Sequence, residues 1–258
     1  MHPLLDATLK PVVGHRGAAA RAPENTLESF RQAVAAGAEV LEFDVRASAD
    51  QRIVVMHDPT VDRTTDRTGA VSAMTLAELQ RLDAGARFTL DGGRTRPYAG
   101  RGITVPTLDQ VLEEFSSLPT LIEIKTAGAA PETRAVIERH QARDRCIVAS
   151  FDDRALAPFR GSGFKVSSTQ RDVARLLLPA QLGLAIQRPR FDTMCIPRSF
   201  RGLPLPIGAL VRSLGRLGLL VHIWTVDNPR IARDLWRVGV RGIITNDPAT
   251  IIAERKKV

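Results

Sequence analysis

His15 and Arg16 open, and His57 closes, a stretch that also carries Glu42 and Asp44 one residue apart. Histidine exchanges protons near neutral pH. Paired carboxylates can hold a hard metal ion. A guanidinium grips a phosphate through two parallel donors. Together these groups could cut a phosphate ester, provided the fold collects them.

Short apolar runs and helical segments decide whether it does. Residues 11–14 (PVVG) read as a first strand ending at His15-Arg16-Gly17. Asn25 with Glu28 suggests a capping box for a helix in which Leu27, Phe30 and Val34 recur up to Gly37. Residues 39–45 (EVLEFDV) read as a second strand. Its alternation puts Val40, Glu42 and Asp44 on one face and Leu41, Phe43 and Val45 on the other. Two acids on one face are costly to bury unless a cation or donors meet them. Residues 52–57 (RIVVMH) form another extended run, which delivers His57 and Asp58.

From about 59 to 105 the chain turns polar, with one short helix at 75–83 capped by Thr75 and Glu78. This reads as an insertion. Beyond it, after a helix at 107–115, strands at 120–125, 145–149, 164–168, 193–196, 219–224 and 241–245 are each followed by a helix. Repeated strand-helix units imply a parallel sheet. With the first two strands they make eight units in 258 residues. The expectation is a single α/β domain over residues 1–258, a (β/α)8 TIM barrel with a small insertion after the second strand. A doubly wound sheet is the alternative, but no G-x-G-x-x-G opens the first helix.

Active sites of such barrels lie at the carboxyl ends of the strands. There the sequence places His15 and Arg16, Glu42 and Asp44, Glu123 and Lys125, Ser150, Trp224, and Asn246 with Asp247. Glu42, Asp44 and Glu123 are the candidate metal ligands. Their all-oxygen character favours Mg²⁺ or Ca²⁺. Lys125 is a candidate phosphate ligand and Trp224 a candidate substrate wall. His222 reads as an interior packing residue, and His2 and His140 as surface residues.

Composition narrows the partners. The net charge is +8, and 31 of the 36 basic residues are arginine. This favours anionic ligands, yet no basic block stands out and aromatic residues are few, so nucleic-acid binding is not favoured. Cys146 and Cys195 have neither metal nor redox spacing, which fits a reducing compartment. The N-terminus does not read as a signal peptide, and no run is long and apolar enough for a membrane span. A cytoplasmic location is expected.

The segments HRG, PENT, GAEVLEFDVRASADQRIVVMHDPTVDRTT, VPTLDQVL, IEIK, HIWTVDNP and GIITNDP, in that order from His15 to Pro248, resemble the glycerophosphodiester phosphodiesterase family. The resemblance implies metal-dependent hydrolysis of a small glycerophosphodiester to sn-glycerol 3-phosphate and an alcohol. It implies Glu42, Asp44 and Glu123 as metal ligands, His15 and His57 as the acid-base pair, and Arg16 and Lys125 as phosphate ligands. One departure is Gln51, where the family's usual T-x-D-G has a turn glycine. A lysophospholipase D acting on a larger lipid is the nearest alternative. It would need an apolar groove at the barrel mouth, for which the insertion offers only Phe88, Leu90 and Tyr98. A Schiff-base lyase on Lys125 would leave the three acids without a purpose, and a non-enzymatic phosphodiester-binding protein would leave the histidines without one.

Overall fold

The computed structural model describes residues 1–257. Its eight parallel strands are β1 (Val12–His15), β2 (Val40–Ala47), β3 (Thr120–Ile124), β4 (Cys146–Ala149), β5 (Lys165–Val166), β6 (Thr193–Pro197), β7 (Leu220–Trp224) and β8 (Ile243–Thr245). They pair in the order β5-β4-β3-β2-β1-β8-β7-β6. A parallel bridge from Ser167 to Thr193 spans the last seam, where the Ser168 N–H donates to the Thr193 carbonyl at 3.0 Å. The architecture is thus the expected (β/α)8 barrel.

The alternation along β2 is what divides the core. Leu41, Phe43 and Val45 face the helices and are fully buried. Phe43 meets Phe30 of the helix Leu27–Ala35, their ring centroids 5.5 Å apart. Val40 packs inside the barrel with Val13, Leu121, Ile147 and Ile244. Glu42 and Asp44 are left at the mouth of that interior.

The run outside the eight strands, Ile53–Val55, pairs antiparallel with the end of β2, Val55 opposite Val45. This hairpin returns the chain to the rim. Its turn uses Gln51 at φ 58°, the left-handed conformation that a glycine would adopt without strain. The insertion packs Val61, Leu79 and Leu82 in a separate apolar cluster with Val54 and Met56 of the run before it. Its helix is only Leu76–Leu79, but the Thr75–Glu78 capping box forms as expected.

Two local expectations are corrected, and one small element is added. The first helix is capped by Thr26, whose side chain accepts from the Ser29 N–H at 3.2 Å. Asn25 instead adopts φ 57° and turns its amide to Asp44. Residues 199–204 form a small hairpin (Ser199–Phe200 with Leu203–Pro204), too short for any alternation to reveal. His2 is buried, because the first residues close the amino-terminal end of the barrel.

That closure is a short 3-10 turn, Pro3–Leu5, with Leu4 inserted into the interior cluster. Two histidines hold it. His222 donates to the Leu4 carbonyl at 2.9 Å and accepts from the Gly242 N–H at 2.8 Å. His2 donates to the Thr120 carbonyl at 3.3 Å and accepts from the Leu4 N–H at 3.2 Å. Each ring satisfies both neighbours only when neutral. His222 is therefore an interior packing residue, as expected.

Burial lowers His2 to about 4 and His222 to about 3. The His222 value follows from complete burial, with the Leu4 carbonyl only partly offsetting it. In the unfolded chain both rings titrate near 6.5. A lowered folded pKa means that the unfolded state binds more protons below the unfolded value. This contribution to stability is complete above about pH 6.5 and is lost as pH falls towards 4 and then 3. The thermal unfolding midpoint should accordingly fall as pH is lowered from about 7 to about 4, read by circular dichroism. His222→Ala, which leaves the Leu4 carbonyl and the Gly242 N–H unpaired, should cost on the order of 3 kcal/mol in urea denaturation at about pH 7.

Candidate active site

Each rim residue is set by a local feature of the chain. β1 ends at His15, and Arg16 then adopts φ 53°. That turn aims the Arg16 N–H at Glu42, which accepts it at 2.9 Å. Gly17 follows at φ 88°, where a Cβ would run into Ser29. The HRG triplet is therefore a tight turn as well as a source of side chains. β2 supplies Glu42 and Asp44, and β3 supplies Glu123, with Lys125 just beyond it.

Oxygen atoms of Glu42, Asp44 and Glu123 lie within 4.8 Å of one another. Glu42 and Asp44 are only 5% and 1% exposed. Two cations compensate them. Lys125 Nζ lies 2.7 Å from Asp44 and also donates to Glu123. Arg16 Nε lies 3.2 Å from Asp44, while its Nη1 donates to Glu24 at 2.8 Å. Asn25 adds a donor to Asp44 at 2.9 Å.

The three acids respond differently. Burial pushes the Glu42 carboxyl well up, and the charges of Asp44 and Glu123 push the same way. Burial and Asp44 likewise raise Glu123, with Lys125 opposing. Burial also works to raise Asp44, but Lys125 and Arg16 pull it below its ordinary value. Three acids against two cations leave one negative charge in excess. That donor set, all oxygen and largely buried, fits a hard divalent cation.

The two histidines face the same cavity, which has a volume of about 120 Å³ and is also lined by Arg16, Glu42, Glu123 and Lys125. His15 Nδ1 lies 2.8 Å from the Asn246 amide oxygen. The Asn246 Nδ2 is committed to Asp227 at 2.8 Å, so the oxygen faces His15 and Nδ1 carries the proton. His57 Nδ1 lies 2.6 Å from Asp58, a carboxylate, and so carries its proton there too. Both Nε2 atoms are then free of hydrogen and able to accept one. Burial lowers both rings; Arg16 adds to this at His15, whereas Asp44 and Asp58 oppose it at His57.

Trp224 and Phe151 form an aromatic wall of the cavity, their ring centroids 5.9 Å apart. Lys125 Nζ lies 5.9 Å from the Phe151 ring. Cys195 also lines the cavity, but burial pushes its thiol up to about 12, so it is no thiolate at neutral pH. Lys125 is no amine nucleophile either. Burial would lower it, but Asp44 and Glu123 raise it above its ordinary value. This removes the basis for a Schiff-base reading.

All eight candidate residues lie at this one mouth. Several of their supports went unassigned from the sequence. Arg63, in the insertion, donates to Asp58 at 2.6 Å and to both oxygens of Glu24 at 2.7 Å. Its hydrogen bonds hold Asp58 down to about 2. Arg46 donates to the His57 carbonyl at 2.7 and 3.0 Å. Asn25, Asp227 and Asn246 complete the set. Asn246, just past β8, stands among the strand-end polar residues without a role of its own, and Asn25 sits in the PENT segment, where it reads as a helix cap. Arg63 sits in a polar loop with no periodicity and offered no signal.

The glycerophosphoryl diester phosphodiesterase family matches residues 15–250. The glycerophosphodiester phosphodiesterase of Caldanaerobacter subterraneus is 32% identical over 254 residues, covering 93% of this chain and 96% of that protein. That of Bacillus altitudinis is 35% identical over 264 residues, covering 96% and 98%. Among solved structures, a phosphodiesterase of Oleispira antarctica in complex with the product sn-glycerol-3-phosphate superimposes with a TM-score of 0.77 at 25% identity, covering 97% of this chain and 98% of that one.

The charge balance predicts unequal costs in urea denaturation at neutral pH. Lys125→Met strands Asp44 and Glu123 and should cost about 3–5 kcal/mol. Glu42→Gln keeps an acceptor for the Arg16 N–H and removes an excess negative charge. It should cost less than about 1 kcal/mol, the usual net worth of a single hydrogen bond, or stabilise.

Proposed function

Because this chain belongs to the glycerophosphoryl diester phosphodiesterase family, and is thus a phosphoric diester hydrolase, we propose that it cleaves small glycerophosphodiesters to sn-glycerol 3-phosphate and an alcohol, with a divalent metal and a histidine acid-base pair. The observation that carries this reading is the convergence of three acids, two cations and two neutral histidines on one cavity. The product seen in the Oleispira antarctica enzyme is of the same class.

Glu42, Asp44 and Glu123 would hold the metal, Mg²⁺ or Ca²⁺. When bound, it would neutralise charge growing on the phosphoryl oxygens. Arg16 and Lys125 bind and orient the phosphate and add positive potential where that charge develops. His15, hydrogen-bonded to a neutral amide and beside Arg16, is the ring more readily kept unprotonated and so ready to accept a proton. Its Nε2 takes the proton of the attacking hydroxyl, whether water or the glycerol's own. His57, hydrogen-bonded to the Asp58 carboxylate, better tolerates a positive charge. It donates from Nε2 to the leaving alkoxide. Trp224 and Phe151 wall the cavity. The two cysteines are both free, which fits the cytoplasmic location expected of the chain. Among the described residues no helix is long and apolar enough to cross a membrane.

Glycerophosphocholine with Mg²⁺ or Ca²⁺ should release glycerol 3-phosphate, and a chelator should stop the release. If no glycerophosphodiester headgroup is released under either metal, the reading is wrong. His15→Ala and His57→Ala should each lower kcat by roughly 10²–10⁴-fold or more with the fold intact. Normal turnover in either would remove that histidine from the mechanism. Because His15 titrates below its ordinary value, its base form persists in mild acid. The acid limb of kcat/KM should therefore have its midpoint below about pH 6.5.

A further inference from the structure

The net charge of +8 is not spread over the molecule. Residues 168–219 hold eight arginines and only two aspartates, so a fifth of the chain carries six of the eight net charges. No basic run marks this segment; it stands out because acids are scarce. Both aspartates are already engaged, Asp172 by Arg160 at 2.9 Å and Asp192 by Lys165 at 3.1 Å. All eight arginines are exposed, and among the described residues none of them is ion-paired.

The same segment leaves Leu178, Leu182, Leu184 and Leu203 each more than half exposed. Arg171, Arg175, Leu178 and Leu182 recur at helical spacing, so they form one outward stripe along the helix Gln170–Gln181 and its end. The Leu184 N–H donates to the Pro179 carbonyl at 2.9 Å, which folds the chain back beside that stripe. Arg188, fixed by donating to the Leu217 carbonyl at 2.8 Å, then joins Arg171, Arg175 and Arg190 around a cleft of about 550 Å³. The acids of the cleft, Asp153 and Asp172, are both paired with Arg160. On the other side, Phe200 of the small hairpin and Leu177 of the helix line one apolar groove that opens beside Trp224. Helix and hairpin thus make a continuous face that borders the catalytic mouth.

Arginines set among exposed leucines match the two layers of an anionic bilayer surface. Guanidinium groups meet the lipid phosphates, and leucines enter the acyl boundary beneath them. A nucleic acid would use the charges but has no place for the leucines, and it favours free aromatic rings for stacking. The exposed aromatic of this face, Phe200, is already covered by the Arg201 guanidinium, 5.5 Å from its ring centroid.

We propose that this face docks the protein on anionic phospholipid bilayers, with the arginine cleft on the headgroup phosphates and the leucines at the acyl boundary. The docking goes beyond the hydrolase reading and does not depend on it.

The test is cosedimentation, without substrate and at low ionic strength, with vesicles of phosphatidylcholine and phosphatidylglycerol in equal parts, against vesicles of phosphatidylcholine alone. The native chain should bind the mixed vesicles at least roughly a hundredfold more tightly, given about fivefold for each arginine near the surface. Arg171→Glu combined with Arg175→Glu should weaken that binding at least about twentyfold. Leu178→Gln combined with Leu182→Gln should weaken it about tenfold. All four positions are exposed and lie outside the catalytic cavity, so the circular dichroism spectrum and glycerophosphocholine turnover should stay native. Equal binding to both vesicles, or binding to neither, would overturn the proposal. So would mixed-vesicle binding that the leucine variants leave unchanged, which is adsorption by charge alone. Single-stranded RNA bound in place of vesicles and released by the charge reversals would make this a nucleic-acid face and overturn it too. A dimer in sedimentation that the leucine variants dissolve, with vesicles unbound, would do the same. Because binding is read without turnover, a failure to hydrolyse any diester leaves the docking result standing.

Discussion

Three carboxylates held together in a nearly dry barrel mouth are the constraint around which this structure is built. Glu42, Asp44 and Glu123 would repel one another and resist burial if left alone. Arg16 comes from the turn after β1 and Lys125 from just beyond β3, so the strands flanking β2 each bring a cation to its acids. The turn itself is shaped by the same need, since its backbone N–H is spent on Glu42. One charge still lacks a partner, and burial together with the charges of Asp44 and Glu123 raises the Glu42 carboxyl. A site with that imbalance is suited to a dication and to an anionic substrate together.

Around this centre, orientation is delegated to parts of the chain far apart in sequence. Arg63 reaches in from the insertion and ties Asp58 to Glu24, and those two carboxylates hold His57 and Arg16. Asp227 holds Asn246, and Asn246 holds His15. The insertion is thus part of the site although it contributes none of the eight candidate residues. Neutral imidazoles serve opposite ends of the barrel in different ways. At the mouth each keeps one nitrogen free for proton exchange, whereas at the base His2 and His222 have both nitrogens occupied and act only as structure.

How much of this was readable depends on how local the cause is. The alternation in EVLEFDV, the strand-helix succession and the strand-end polar residues are all local patterns, and they led to the barrel and to the eight rim residues. The helix cap at Thr75 was equally local. Asn25 misled because its residue type suits a cap, while its side chain is drawn instead to Asp44 by a buried negative charge. His2 misled because nothing in its neighbourhood shows that the first turn will plug the barrel.

By itself, then, the sequence determined the fold class, the succession of strands along the chain and which side chains would gather at one rim, because periodicity and chain order are one-dimensional properties. Only the tertiary structure decided which nitrogen of each histidine is free, that Arg63 braces the site, and that an apolar groove opens beside Trp224 on the β5–β6 side. Each of those depends on distances between segments well separated along the chain. Hydrogen-bond geometry and the shape of a cavity exist only once the barrel has closed.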